Sequence, residues 1–199
     1  MTFNLQTLRK SMFAAMAIFV AGVAQAHTGH GTESLMTGLS HPFGLDHLLA
    51  MLAVGLWSAK NLPKREAWQG PATFMVTLIL GAFLGQAGFT IAWIENGIAL
   101  SVLLFGLMLW QQNAMSKATG LTIMSAAAAL HGLAHGSETP DAGFTAYALG
   151  FLLTTACLHL SGLRIGFMIQ SHFQNHQKMA FGAMGTLMSG AGLYLFSQI

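Results

Sequence analysis

The chain has 199 residues, of which 54% are hydrophobic and only 7% charged, against about a quarter charged in a soluble domain. Eight Lys and Arg stand against six Asp and Glu; without Arg9 and Lys10 the balance is even, so no basic surface for nucleic acid exists. The single cysteine, Cys157, excludes an intramolecular disulfide and any CxxC metal or redox motif, while nine histidines are the compositional oddity.

Taken in chain order, the first element has the layout of a secretory signal. Arg9 and Lys10 close a positive n-region, residues 11–23 supply a short apolar h-region, and Ala24-Gln25-Ala26 has the A-x-A form of a cleavage site. Residues 1–26 are thus expected to be removed, leaving residues 27–199 as one membrane domain that begins at His27. After the polar stretch HTGHGTES, apolar runs and their polar punctuation predict six spans, at 36–59, 72–93, 97–112, 119–136, 143–169 and 179–198. In lipid every backbone polar group needs an internal partner, so these are helices. The expected fold is an all-α polytopic helical bundle of about six transmembrane helices after a cleavable signal peptide.

A cleaved signal leaves the mature N-terminus outside, which makes the loops after the first, third and fifth spans cytoplasmic. Those loops and their edges hold Lys60, Lys64, Arg65, Lys117, Arg164 and Lys178, whereas the outer segments hold Glu33, Glu95, Glu138 and Asp141. The positive-inside rule therefore agrees with the signal peptide. The expected location is a bacterial inner (cell) membrane, with several passes and a periplasmic N-terminus. Small residues at four-residue spacing, Gly81 with Gly85 and Gly182, Thr186 and Gly190 in the last span, are expected to let helices approach closely.

Ionisable groups inside a span cost about 2.5–3.5 kcal/mol each on insertion scales, so each needs a partner or a task. The first span contains HPFGLDHLLAM. Pro42 and Gly44 are expected to loosen the helix or delay its start beside His41. Asp46 and His47 then fall about ten residues from the outer end, roughly 15 Å deep at 1.5 Å per residue. The fourth span ends in HGLAHGSE, which puts His131, His135 and Glu138 at i, i+4 and i+7 on one helical face. Both clusters fall in the outer half of the membrane and are able to converge. Imidazoles with a carboxylate suit a borderline divalent transition metal without choosing among nickel, copper, zinc and iron.

Plainer roles compete at each position. His41 also fits an interfacial polar residue, Asp46 with His47 a structural hydrogen-bonded pair, and His131 with His135 a packing pair. His159, mid-span in the fifth helix, is divided evenly between site and core. Cys157 and Met51 are expected to be buried packing residues, and His172 and His176 to be solvated. His27, with a free amine after cleavage, and His30 form a minor chelating option. No GxxxxGK[ST] motif is present, so any energy must come from a gradient or another subunit. HExxH is also absent, and no enzyme is expected. A bis-histidine haem protein using His131 and His159 stays open, as does a metal-binding accessory or scaffold protein that does not translocate its ion.

The stretch HPFGLDHLLAMLAVGLW, together with HGLAHGSE, closely resembles the HupE/UreJ family of hydrogenase and urease accessory membrane proteins. The likeness runs over essentially the whole chain. The His-x4-Asp-His spacing from His41 to His47 also resembles that of nickel/cobalt permeases, although the rest of that larger pattern is not evident. The resemblance implies a secondary permease for Ni2+, or Co2+ in some relatives, with no tightly bound cofactor. The implied metal-handling residues are His41, Asp46 and His47, with His131, His135 and Glu138 as a second motif. Its implied partners are the lipid bilayer, the metal ion, hydrogenase or urease maturation proteins and further copies of the chain. Because protons compete with metal for imidazole, uptake is expected to decline as external pH falls through the histidine range.

Overall fold

The structure, a computed structural model, describes residues 35–111, 115–138 and 144–199. The expected signal peptide, His27 and His30 lie outside the described residues. Among the described residues there is no strand. The elements are α1 (Leu35–Ser40), a 3-10 turn (His41–Phe43), α2 (Leu45–Asn61), α3 (Gln69–Gln86), α4 (Ile94–Trp110), α5 (Lys117–Glu138), α6 (Phe144–His172) and α7 (Gln177–Ser197). The all-α expectation is met.

The first expected span is a bent pair of helices. Pro42 has no N–H to donate, and Gly44 adopts an extended conformation (φ −53°, ψ 142°), so the backbone ladder stops and restarts at Leu45. The two segments meet at 75°. A depth counted along one straight helix therefore does not apply to Asp46. The level of the site is set instead by Phe151 beside it, seven residues into α6 and so about 10 Å from its start.

The second expected span is shorter than its apolar run suggests. Gly88 takes a left-handed φ of 91°, the Phe89 N–H bonds the Leu84 carbonyl and the Gly88 N–H bonds the Gly85 carbonyl. This Schellman closure ends α3 at Gln86, well short of residue 93.

α2 is the central helix. From Ala50 to Ala59 every residue but Leu52 is buried, as befits a helix apolar all round with neighbours on every side. The other helices pack in long pairs, α2 on α6, α3 on α5 and α4 on α7, with α1 laid against the first turns of α6. Glycines set these approaches: Gly55 meets Gly162, Gly81 and Gly85 meet Ala129 and Leu133, Gly132 and Gly136 meet Leu78 and Ala82, and Gly106 meets Gly185. The expectation for Gly81 and Gly85 is met. In α7 the opposite face is used: Gly185 and Gly192 are buried, while Thr186 and Gly190 are exposed. A helix with small residues on two faces does not reveal by spacing alone which face meets a neighbour.

By length and apolarity α6 and α7 are each able to cross a membrane, and the bent α1–α2 pair makes a third if it counts as one span. The remaining helices fall below that measure. α4 is apolar but has 17 residues, α3 has 18 but is diluted by Gln69, Pro71 and Gln86, and α5 is diluted by Lys117, His131 and His135. Yet α3 and α4 also turn large apolar side chains outward, including Val76, Leu80, Phe83, Leu100, Leu104 and Leu107. In water so extensive an apolar surface would aggregate. Cys157 belongs to this outward surface: it is exposed, contrary to the expectation of a buried packing residue, because position 157 of α6 faces away from α2.

One end of the bundle is basic. Lys60 Nζ donates to the carbonyls of Leu109 (2.7 Å) and Gln111 (2.5 Å), placing a cation at the negative end of α4. Lys117 pairs with Glu66 at 2.7 Å, and Lys64 Nζ lies 5.9 Å from the Phe167 ring centre. Lys60→Met keeps most of the stem and deletes the cap. It should cost about 2 kcal/mol, the usual worth of charge-assisted hydrogen bonds, read as a lower melting temperature in detergent. An unchanged melting temperature would mean that the α4 carbonyls find other donors.

Candidate metal centre

The site lies at the other end of α2, where the chain restarts after the break. His41 opens the 3-10 turn, and the Gly44 N–H bonds its carbonyl at 3.0 Å. Asp46 falls in the first turn of α2, where the helix dipole favours a negative charge. Its Oδ1 is 3.0 Å from His47 Nδ1. The carboxylate accepts a hydrogen bond from the Nδ1–H, which leaves the lone pair of His47 on Nε2.

That Nε2 lies 2.5 Å from Nε2 of His135, which α5 brings in from across the bundle. Two imidazole nitrogens this close do not both carry hydrogen. They share one proton between them or turn their lone pairs to a common cation. His41 completes the group: its ring stands edge-on to His135 at 4.6 Å and to His47 at 5.5 Å between centroids. One ligand atom from each of His41, His47 and His135 falls within 4.8 Å of the others. Such a group can hold a borderline divalent cation with nitrogen at about 2.0–2.1 Å, provided the two Nε2 atoms part slightly. His47 and His135 are buried and His41 half-buried, while the Asp46 side chain keeps 28% exposure. A carboxylate that holds one nitrogen of a ligand histidine fixes both its tautomer and its orientation.

His131 stands one turn below His135 on α5. Its ring is edge-on to His47 at 4.7 Å, but its Nε2 is 3.1 Å from Ser101 Oγ. Ser101 spends its own proton on the Ile98 carbonyl at 2.7 Å, so the hydroxyl oxygen accepts and His131 carries hydrogen on Nε2. The lone pair of His131 is therefore on Nδ1, which has no hydrogen-bond partner among the described residues. Of the six residues expected from sequence, three converge, Asp46 orients one of them, and His131 lies against the cluster with one nitrogen committed elsewhere. Glu138 is the last residue of α5, and its side chain lies outside the described residues.

The walls were not foreseen. Phe151 packs on His135 at 4.4 Å and Tyr147 lies parallel to Phe151 at 6.1 Å; the Tyr147 hydroxyl is 3.5 Å from His135 Nδ1. The only available hint was their i, i+4 spacing on one face of α6. Ser101 carried no hint, since a serine within a span is ordinary. Phe74 packs near both His131 and His159, with ring centres 5.9 Å and 5.1 Å away. An apolar cavity of about 110 Å³ behind His135, walled by Leu78, Phe144 and Phe151, offers a hydrated cation no second ligand.

A family profile described as HupE / UreJ protein matches residues 14–195. The chain is also similar to Protein HupE of Rhizobium leguminosarum bv. viciae, 36% identical over 149 residues that cover 74% of this chain and 78% of that protein. No solved structure matches.

Proposed function

This chain belongs to the HupE/UreJ family of hydrogenase and urease accessory proteins, and we propose that it is a permease admitting Ni2+ through the cell membrane for metalloenzyme maturation. The observation that carries this reading is the convergence of His41, His47 and His135, with Asp46 bound behind His47. A closed structural site surrounds its ion with ligands from all sides. Here the ligands are few, and one of them sits on a separate turn beside a partly exposed carboxylate. That suits an ion that must arrive hydrated, exchange some of its water for imidazole and leave again. Asp46 supplies the charge that draws the cation, and His41, His47 and His135 supply the nitrogens.

The six-span topology is part of the proposal. It is supported by the outward apolar faces of α3, α4, α6 and α7 and by the basic residues gathered at the end of α2 opposite the cluster. By the positive-inside rule that end is cytoplasmic, and the cluster then faces the periplasm.

The test is uptake of radioactive nickel by nickel-limited cells carrying this protein or an empty vector, with cobalt as competitor. Accumulation several-fold above the vector supports a permease, and the extent of cobalt competition sets its selectivity. Accumulation equal to the vector would reject transport and leave a protein that holds metal without moving it.

A further inference from the structure

His159 has no role in the cluster described above, yet it is fully buried, and neither of its ring nitrogens has a hydrogen-bond partner among the described residues. It stands eight residues beyond Phe151 on α6, about 12 Å further toward the basic end of the bundle. One turn before it on the same face is Thr155, also fully buried, whose hydroxyl likewise lacks a partner. The remaining unpartnered buried side-chain atoms among the described residues are His131 Nδ1 and, nearer still to the basic end on α2, Trp57 Nε1. Elsewhere in the core the polar side chains are satisfied: Ser58 bonds the Val54 carbonyl, Ser101 that of Ile98 and Thr154 that of Leu39. The unmet polar atoms therefore begin beside the three-histidine cluster and continue inward from it.

A buried imidazole with neither nitrogen bonded is costly, and an apolar residue of similar size would serve packing better. Two features give the cost a purpose. The Phe74 ring touches His131 on one side and His159 on the other, and the His131 lone pair is left free by the Ser101 hydrogen bond. We infer that His159 is a second cation station, receiving the divalent ion from the outer cluster by way of His131 once it has passed the Phe74 ring. The inference rests on the permease reading. With one imidazole and one hydroxyl, the inner station binds the ion less firmly than the three-histidine cluster, as onward release requires.

The test compares full-length wild type with His159→Leu and His159→Gln in three measurements. These are nickel uptake by cells at matched membrane levels, Ni2+ binding to the purified protein in detergent, and thermal unfolding. Leucine removes the unmet polar atoms, so the melting temperature should stay or rise. Ni2+ affinity at the outer cluster should stay within about twofold of wild type, while the maximal uptake rate drops at least tenfold with little change in KM. Glutamine, polar but a poor transition-metal ligand, should also lose rate, and it provides the reading if the leucine variant does not fold. Uptake within twofold of wild type in either folded variant would overturn the inference. So would a loss of Ni2+ binding parallel to the loss of uptake, because His159 would then only support the outer cluster. Failure of wild type itself to exceed the empty vector is a separate result, which removes the permease reading and this station with it.

Discussion

Cells carrying His47→Ala are expected to take up nickel no faster than empty-vector cells, a loss of about 100-fold or more, while Asp46→Asn retains a measurable rate about 10- to 100-fold below wild type. The difference follows from the two roles. His47 offers the lone pair that faces His135 Nε2 at 2.5 Å, and alanine leaves two imidazoles that no longer enclose an ion. On the permease reading, Asp46 acts on the ion through His47, whose Nδ1 lies 3.0 Å from its Oδ1. An asparagine oxygen still accepts the Nδ1 proton and keeps the ring oriented, but it no longer supplies the charge. Equal losses in the two variants would mean that Asp46 binds metal directly. An Asp46→Asn variant as active as wild type would mean that the carboxylate only anchors the start of α2. Both variants are to be compared at equal membrane levels, and equilibrium dialysis of Ni2+ against the purified proteins should rank them in the same order.

The second large effect is expected from Gly136→Leu. A side chain at Gly136 meets the carbonyl and Cα of Ala82 on α3, and backbone atoms have no rotamer by which to yield. The α3–α5 pair must separate, which should cost about 3 kcal/mol or more, at the upper end of overpacking penalties. His135 is the adjacent residue, so the same displacement carries its ring away from His47. The expected result is a sharp drop in monodisperse protein after detergent extraction, with no nickel binding by what remains. Gly190→Leu is the control, because none of the described residues lies within 4 Å of a Cβ there; it should extract and bind as wild type does. Normal behaviour of Gly136→Leu would show that α3 and α5 do not depend on their close approach.

Much of this layout was visible in the residues themselves. Scarcity of charge and recurrent apolar runs indicated helices, and Pro42 with Gly44 marked where the first would break. Charged and imidazole groups are rare among apolar residues, so HPFGLDH and HGLAHGSE stood out, and their placement in the same half of the membrane left them able to converge. What escaped notice depends on rotation and on neighbours. Spacing could not tell whether Gly185 or Thr186 faces α4, since both lie among small residues. The turn at Gly88 depends on one backbone angle within an otherwise apolar run. Ser101 acquires meaning only because α4 brings it to His131, a pairing of residues 30 apart, and the bond of Asp46 to His47 Nδ1 shows only in the folded chain.

The glycine contacts have a mechanical consequence. They join α2 to α6 and α3 to α5 at backbone distance, making two stiff leaves. His47 rides on the first leaf, His135 on the second, and His41 on the turn that precedes α2. The three imidazoles thus meet across a seam where Gly70 of α3 lies against the Ser58 side chain and Gly120 of α5 against the Trp57 ring. On the permease reading, a slight hinging of one leaf against the other would change the bite of the three imidazoles while leaving the glycine contacts within each leaf intact.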